Sequence, residues 1–232
     1  MFEPSRLSPR VKNLVASAVY KARQWVSDVS DIRAGDTRAR RFKAFGQSSR
    51  IAYPPGDVYG EPWIRIGDHT LIGTHVTLAV GMPGEQFESG DAIIDVGDRC
   101  SLGRGTAIVA RKQVVIEDDV MIAPHVYITD HSHSYADVRY PIWQQWPTAA
   151  PVRIGAGTWL ATNVIVLPGT TIGRNVTVAG GSVVRGDIPD FSVIAGAPAK
   201  VVRRYVDGKG WDPPLPPDAA AAATWWLDKP EG

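Results

Sequence analysis

An aliphatic residue returns at every sixth position along most of this chain, and that period constrains the fold more than any other feature. Hexapeptides open at Ile66 (IGDHTL), Ile72 (IGTHVT) and Leu78, then at Val96 (VGDRCS), Leu102 (LGRGTA) and Ile108. After a slip of two residues they return at Ile116 (IEDDVM), Ile122 (IAPHVY) and Ile128. A last run opens at Ile154 (IGAGTW), Leu160 (LATNVI), Val166 (VLPGTT), Ile172 (IGRNVT), Val178 (VAGGSV) and Val184. A half-buried strand alternates with period two and an amphipathic helix repeats at 3.6. A sustained period of six fits neither. It describes short strands separated by corners. Three strands make one coil of a prism, with parallel coils stacked about 4.8 Å apart.

The other positions of the hexapeptide agree with that prism. The fifth is small or β-branched (Thr70, Val76, Thr106, Val120, Val126, Thr158, Val164, Thr170, Val176, Ser182) and is expected to point inward. Cys100 falls on it and reads as core rather than as a reactive thiol. The fourth position, rich in Gly105, Gly157, Asn163, Gly169, Asn175 and Gly181, is where the chain must turn through positive φ. His69, His75, His125 and His131 also fall on fourth positions, where a corner residue is the plain reading.

Composition narrows the function. A net charge of +1 gives no global case for nucleic-acid or membrane binding. One cysteine in 232 residues excludes an intrachain disulfide framework and fits a reducing, cytoplasmic setting. No apolar run reaches the roughly 18 residues of a membrane span.

The flanks follow other rules. Residues 9–29 place Val11, Leu14, Val15, Ala18, Val19, Ala22, Trp25, Val26 and Val29 at the spacing of an amphipathic helix, expected to cover the open first coil. Ala199–Val206 reads as a short terminal helix, followed by a proline- and alanine-rich tail expected to pack on a neighbouring subunit. The expected organisation is a cap over 1–62, the prism over 63–198 with an inserted loop at 132–153, and a C-terminal helix and tail over 199–232.

The beat stops at His131 and resumes only at Ile154. A loop extruded from a rigid scaffold is where binding and chemistry concentrate. This one carries His133, Tyr135, Trp143, Gln144 and Trp146, side chains suited to stacking on and hydrogen-bonding polyhydroxylated rings.

The run IGAGTWLATNVIVLPGTTIG from Ile154 and the close GGSVVRGDIP…AGAPAKVVR from Gly180 to Arg204 resemble the hexapeptide-repeat acyltransferases, in particular their sugar and antibiotic O-acetyltransferase branch. The resemblance covers about residues 64–204. It implies an all-β, left-handed parallel β-helix, a homotrimer with active sites between subunits, and acetyl-CoA or another acyl-CoA as co-substrate with no metal. It implies His131 as the general base; His133 is the runner-up, and Asp130, Asp137 or a backbone carbonyl is the candidate for fixing the tautomer. It sets Trp159, Thr162, Ala179 and Gly180 along the pantetheine arm, and Arg185, Lys200, Arg203 and Arg204 near the phosphates. Arg111, followed by Lys112, lies one coil back from His131, where the family's sugar-binding members would be expected to carry acidic or amide groups. These cations count against a neutral monosaccharide and join Tyr135, Trp143, Gln144 and Trp146 as expected acceptor contacts. The rival readings are N-acylation of an amino sugar, a γ-carbonic-anhydrase-like metal site built from His125, His131 and His133, and a non-catalytic β-helix scaffold.

Overall fold

The computed structural model describes residues 8–81, 85, 87 and 90–216. Its body is a three-faced prism of parallel strands. One face runs from Ala44–Phe45 through Ile64–Ile66, Ile94–Val96, Val114–Ile116, Val152–Ile154 and Thr171–Ile172 to Asp187–Ile188. The second runs from Arg50–Ile51 through Leu71–Ile72, Ser101–Leu102, Met121–Ile122, Trp159–Leu160 and Thr177–Val178 to Ser192–Gly196. The third holds Val58–Tyr59, Thr77–Val80, Ala107–Ala110, Tyr127–Thr129, Ile165–Val166 and Val183–Val184. The chain visits the faces in that order, and residues in register differ by one coil, as in Ile108 beside Leu78 and Ile128.

Every residue that opens a hexapeptide, from Ile66 to Val184, is buried on the axis. Each such side chain contributes about 1.5–3 kcal/mol relative to exposure. The fifth-position residues are buried too, and the hydroxyls among them have a second task. Thr70 Oγ1 donates to the Gly97 carbonyl at 2.8 Å and accepts from Cys100 N at 3.0 Å. Thr158 Oγ1 does the same between Gly173 O and Val176 N. At a corner the strand ladder is interrupted, so a side-chain hydroxyl satisfies backbone groups that water cannot reach. Cys100 belongs to this set: it is buried, its Sγ lies 3.1 Å from the Glu117 carbonyl oxygen, and burial pushes its thiol up to about 11.

The corners behave as the fourth position requires. His69, His75, His125, Asn163 and Asn175 have φ between 51° and 62°, and Gly105, Gly157, Gly169 and Gly181 lie near 70°. At Gly157, where φ is 70°, a Cβ would come within 2.2 Å of Asn175 Oδ1, so a larger residue would be strained and would displace the asparagine of the next coil.

Three expectations change. The parallel stack begins at Ala44 rather than at residue 63, since Ala44–Phe45, Arg50–Ile51 and Val58–Tyr59 each pair with the coil above. The helix α1 (Pro9–Ser30), capped by Ser8, buries none of its residues. The end of the prism is closed instead by Ile32, Ala39 and Phe42, with Ile32–Arg33 pairing antiparallel to Arg50–Ile51. Ala199–Val206 is a strand, not a helix. It folds back on Ser192–Gly196 and pairs onward with Gly210–Asp212, so its Val201, Val202, Tyr205 and Val206 follow the β preference of such residues. The part of the tail beyond residue 216 lies outside the described residues.

Candidate active site

After the third-face strand Tyr127–Thr129 the chain departs from the stack before returning to it at Val152–Ile154. His131 does not share the positive φ of the other three histidines. Instead His131–Ser132 pairs antiparallel with Thr148–Ala149, and the two strands close the neck of the insertion. The neck is tightened by a hydrogen bond from Ala150 N to the Asp130 carbonyl at 2.7 Å. His131 is therefore held by a ladder rather than by a turn, with its ring partly exposed at the rim of the prism.

Asp130 fixes that ring. Its Oδ1 lies 2.9 Å from His131 Nδ1, while its side chain is fully buried. The carboxylate is cradled by successive backbone N–H groups of the coil behind it. Arg111 N donates at 2.9 Å to Oδ1 and 3.1 Å to Oδ2, Lys112 N at 2.6 Å and Gln113 N at 2.7 Å to Oδ2. Three consecutive amides aimed at one point form an anion-binding concavity. Burial by itself raises the carboxyl's pKa, but the hydrogen bonds with His131 and with the three amides outweigh it and hold Asp130 below its ordinary value. A buried carboxylate, ionised at neutral pH, beside Nδ1 favours the tautomer with the proton on that nitrogen and Nε2 as the acceptor. Thr129 Oγ1, 3.4 Å from the same Nδ1 and 3.3 Å from His131 N, packs against the ring's inner edge.

The other candidate for orienting His131 is occupied elsewhere. Asp137 accepts from Arg139 N and Nε at 3.0 and 2.9 Å, and the Arg139 side-chain bond holds its pKa down. His133 sits beyond the ladder on the exposed part of the loop. The loop itself is organised by Gln145, which sequence reasoning passed over: its amide accepts from Asp137 N at 3.0 Å and donates to the carbonyls of Asp137 and Tyr140. Tyr135, Trp143 and Trp146 remain more than 70% exposed. Gln144 is exposed with them.

Arg111 is not the free cation its sequence position implied. Its guanidinium donates to Glu85 Oε1 at 2.6 Å and lies 4.8 Å from the centre of the Trp146 ring. One side chain thus joins the segment carrying Glu85, the prism and the aromatic loop. With that charge compensated, the argument against a neutral acceptor rests on Lys112 alone, which is exposed.

The donor-side residues lie elsewhere. Thr162 follows the second face and donates to Pro124 O at 3.0 Å. Gly180 sits one coil below, where a Cβ would meet the Thr162 carbonyl at 3.2 Å. Trp159 is exposed on the same face, in register with Met121 and Thr177, and Ala161 and Ala179 complete a smooth strip. This corner joins the second and third faces, whereas His131 stands where the third meets the first. One whole face separates them within a chain. Arg185 is on the His131 edge, one coil below Leu167. Lys200 and Arg203 are on the terminal hairpin, where Arg203 Nε is buried with no hydrogen-bond partner. Among the described residues, no three His, Cys, Asp or Glu side chains converge as a metal-ion site.

Comparison with known proteins bears on this arrangement. Residues 151–186 match the family described as bacterial transferase hexapeptide (six repeats). Over 150 residues the chain is 36% identical to an Escherichia coli protein named for O-acetyl transfer in lipopolysaccharide biosynthesis, which covers 62% of this chain and 76% of that protein. A Mycobacterium tuberculosis protein named as a probable acetyltransferase is 39% identical over 141 residues, 61% of this chain, and the match spans only 42% of its length. Among solved structures, a hexapeptide-repeat acetyltransferase of Vibrio cholerae complexed with acetyl-coenzyme A superposes with a TM-score of 0.51 at 26% identity, over 73% of this chain and 75% of that one.

Proposed function

Since the chain belongs to the bacterial hexapeptide transferase family, we propose that it transfers an acyl group, acetyl first, from coenzyme A to a hydroxyl of a sugar-type acceptor. The observation that carries this reading is the His131–Asp130 pair, a partly exposed imidazole whose inner nitrogen is bound to a fully buried carboxylate. His131 Nε2 takes the proton of the acceptor hydroxyl as that oxygen attacks the thioester carbonyl. The tetrahedral intermediate collapses by breaking the C–S bond, and the proton passes from imidazolium to the departing thiolate. Such general-base assistance is worth about 10²–10⁴-fold. No acyl-enzyme is needed, and Cys100, buried with a raised pKa, is unfit to form one.

The acceptor side is built by Tyr135, Trp143, Gln144 and Trp146, with Arg111 bracing Trp146. For the donor, the strip of Trp159, Thr162, Ala179 and Gly180 suits a slender pantetheine arm, and Arg185, Lys200 and Arg203 suit its phosphates. Because that strip and His131 stand on different edges of one prism, the complete site needs an edge from each of two chains. A closed trimer of left-handed prisms supplies that arrangement at every interface.

The test is thiol release from acetyl-CoA across neutral sugars, amino sugars, nucleotide sugars and glycolipids. A hydroxyl acceptor should respond, and His131→Ala should abolish the response. Full activity in that variant, or a protein that neither binds coenzyme A nor acylates any acceptor, overturns the proposal.

A further inference from the structure

The helix α1 is left without a task by everything above. It spans Pro9–Ser30 with no buried residue. Leu14, Val19 and Trp25 are more than 60% exposed, and Val11, Val15, Val26 and Val29 are exposed beside them. Only one edge approaches the prism. Val19, Ala22, Arg23 and Val26 face Tyr53, Pro54, Thr74 and His75 across a cavity of about 580 Å³, and Ser27 Oγ donates to Tyr53 O at 3.3 Å. A helix folded for this contact would fill that gap.

Placed at 3.6 residues per turn, the apolar side chains form one stripe roughly 140° wide. Arg10 and Lys21 border it on one side, Lys12 and Arg23 on the other, and Asp28 is the single carboxylate of the helix. That distribution discriminates between partners. Two copies packed stripe to stripe would bring four cations against four with almost nothing to neutralise them. An anionic bilayer surface complements Arg10 and Lys21 on one rim and Lys12 on the other, while Arg23 lines the cavity toward the prism. The stripe enters the acyl boundary, lysine and arginine stems reach outward to the headgroups, and Trp25 has the amphipathic ring favoured at that depth. No helix among the described residues is long and apolar enough to cross a membrane, so the contact lies in the plane of the surface.

We propose that α1 is a docking surface for an anionic lipid bilayer, holding the prism against the membrane. This stands independently of the acyl-transfer reading. The experiment is flotation of the full chain with vesicles of phosphatidylcholine alone or containing phosphatidylglycerol, at low and high salt. Binding should be at least about tenfold stronger on the anionic vesicles and weaken with salt. Leu14→Glu with Trp25→Glu should remove it, while the oligomeric mass and the thermal transition stay as in the parent. Lys12→Gln with Lys21→Gln, which leaves the stripe intact, should lower it on anionic vesicles only. No binding to either vesicle, equal binding to both, or a change of oligomeric mass in the glutamate variant overturns the proposal, the last by making the stripe a contact between subunits.

Discussion

His125 and His131 stand six residues apart on one coil, at the same position of successive hexapeptides, and they do opposite things. His125 turns the corner between the second and third faces with φ of 62°. His131 leaves the corner geometry altogether and enters an antiparallel ladder, where a buried carboxylate meets its Nδ1. Position in the repeat therefore assigns a backbone conformation, and chemistry begins where a residue stops obeying it.

The strongest way to break this contrast is to remove each imidazole in turn. His131→Ala should lower acyl transfer by about 10³-fold with the fold intact, read as thiol release beside an unchanged circular-dichroism spectrum. Asp130→Asn should come next, lowering kcat by about 10² with little change in KM, because the ring loses the partner that selects its tautomer. The same variant should lose about 1–3 kcal/mol of stability at neutral pH, because an amide cannot accept every N–H the carboxylate accepts. The sign of its pH dependence is fixed. Asp130's pKa is depressed in the folded state, so its contribution is complete above the ordinary carboxylate value near 3.9 and is lost as pH falls through the folded value. Denaturation midpoints of the parent and Asp130→Asn should accordingly converge as the medium is acidified. Trp146→Ala removes an acceptor-side ring and its contact with Arg111, which stays paired with Glu85, and should raise the acceptor KM roughly threefold to tenfold, with kcat nearly constant. His125→Asn closes the series, since asparagine also accepts positive φ. Activity should stay within about twofold and stability within about 0.5 kcal/mol.

The prism was legible because each of its demands is local. One aliphatic residue, one turn residue and one small residue per hexapeptide report the coil without reference to any other part of the chain. Where a demand spans coils, the sequence falls silent. The cradle of Asp130 is made of amides from residues 17 to 19 positions earlier, and amides carry no side-chain signature. Reading Arg111 and Lys112 as side chains aimed at the acceptor missed that their backbone was the functional part. The first coil was missed for a related reason. FGQSSR and Ile51 keep the beat, but it breaks at once at Tyr53 and Pro54, too short a run to stand out from a cap. The terminal strand was misread because an eight-residue segment of mixed charge and valine carries no period long enough to decide between helix and hairpin.

The cradle also has a consequence for how the protein can fail. Its three donors belong to one coil and its acceptor to the next, so the base is armed only when those coils are stacked in the right register. A slip by one hexapeptide would keep aliphatic residues on the axis and turn residues at the corners. It would nonetheless leave Asp130 without its amides and His131 without an ionised partner. The Asp130–His131 pair thus reports the register of the stack, which a measure of secondary structure alone does not.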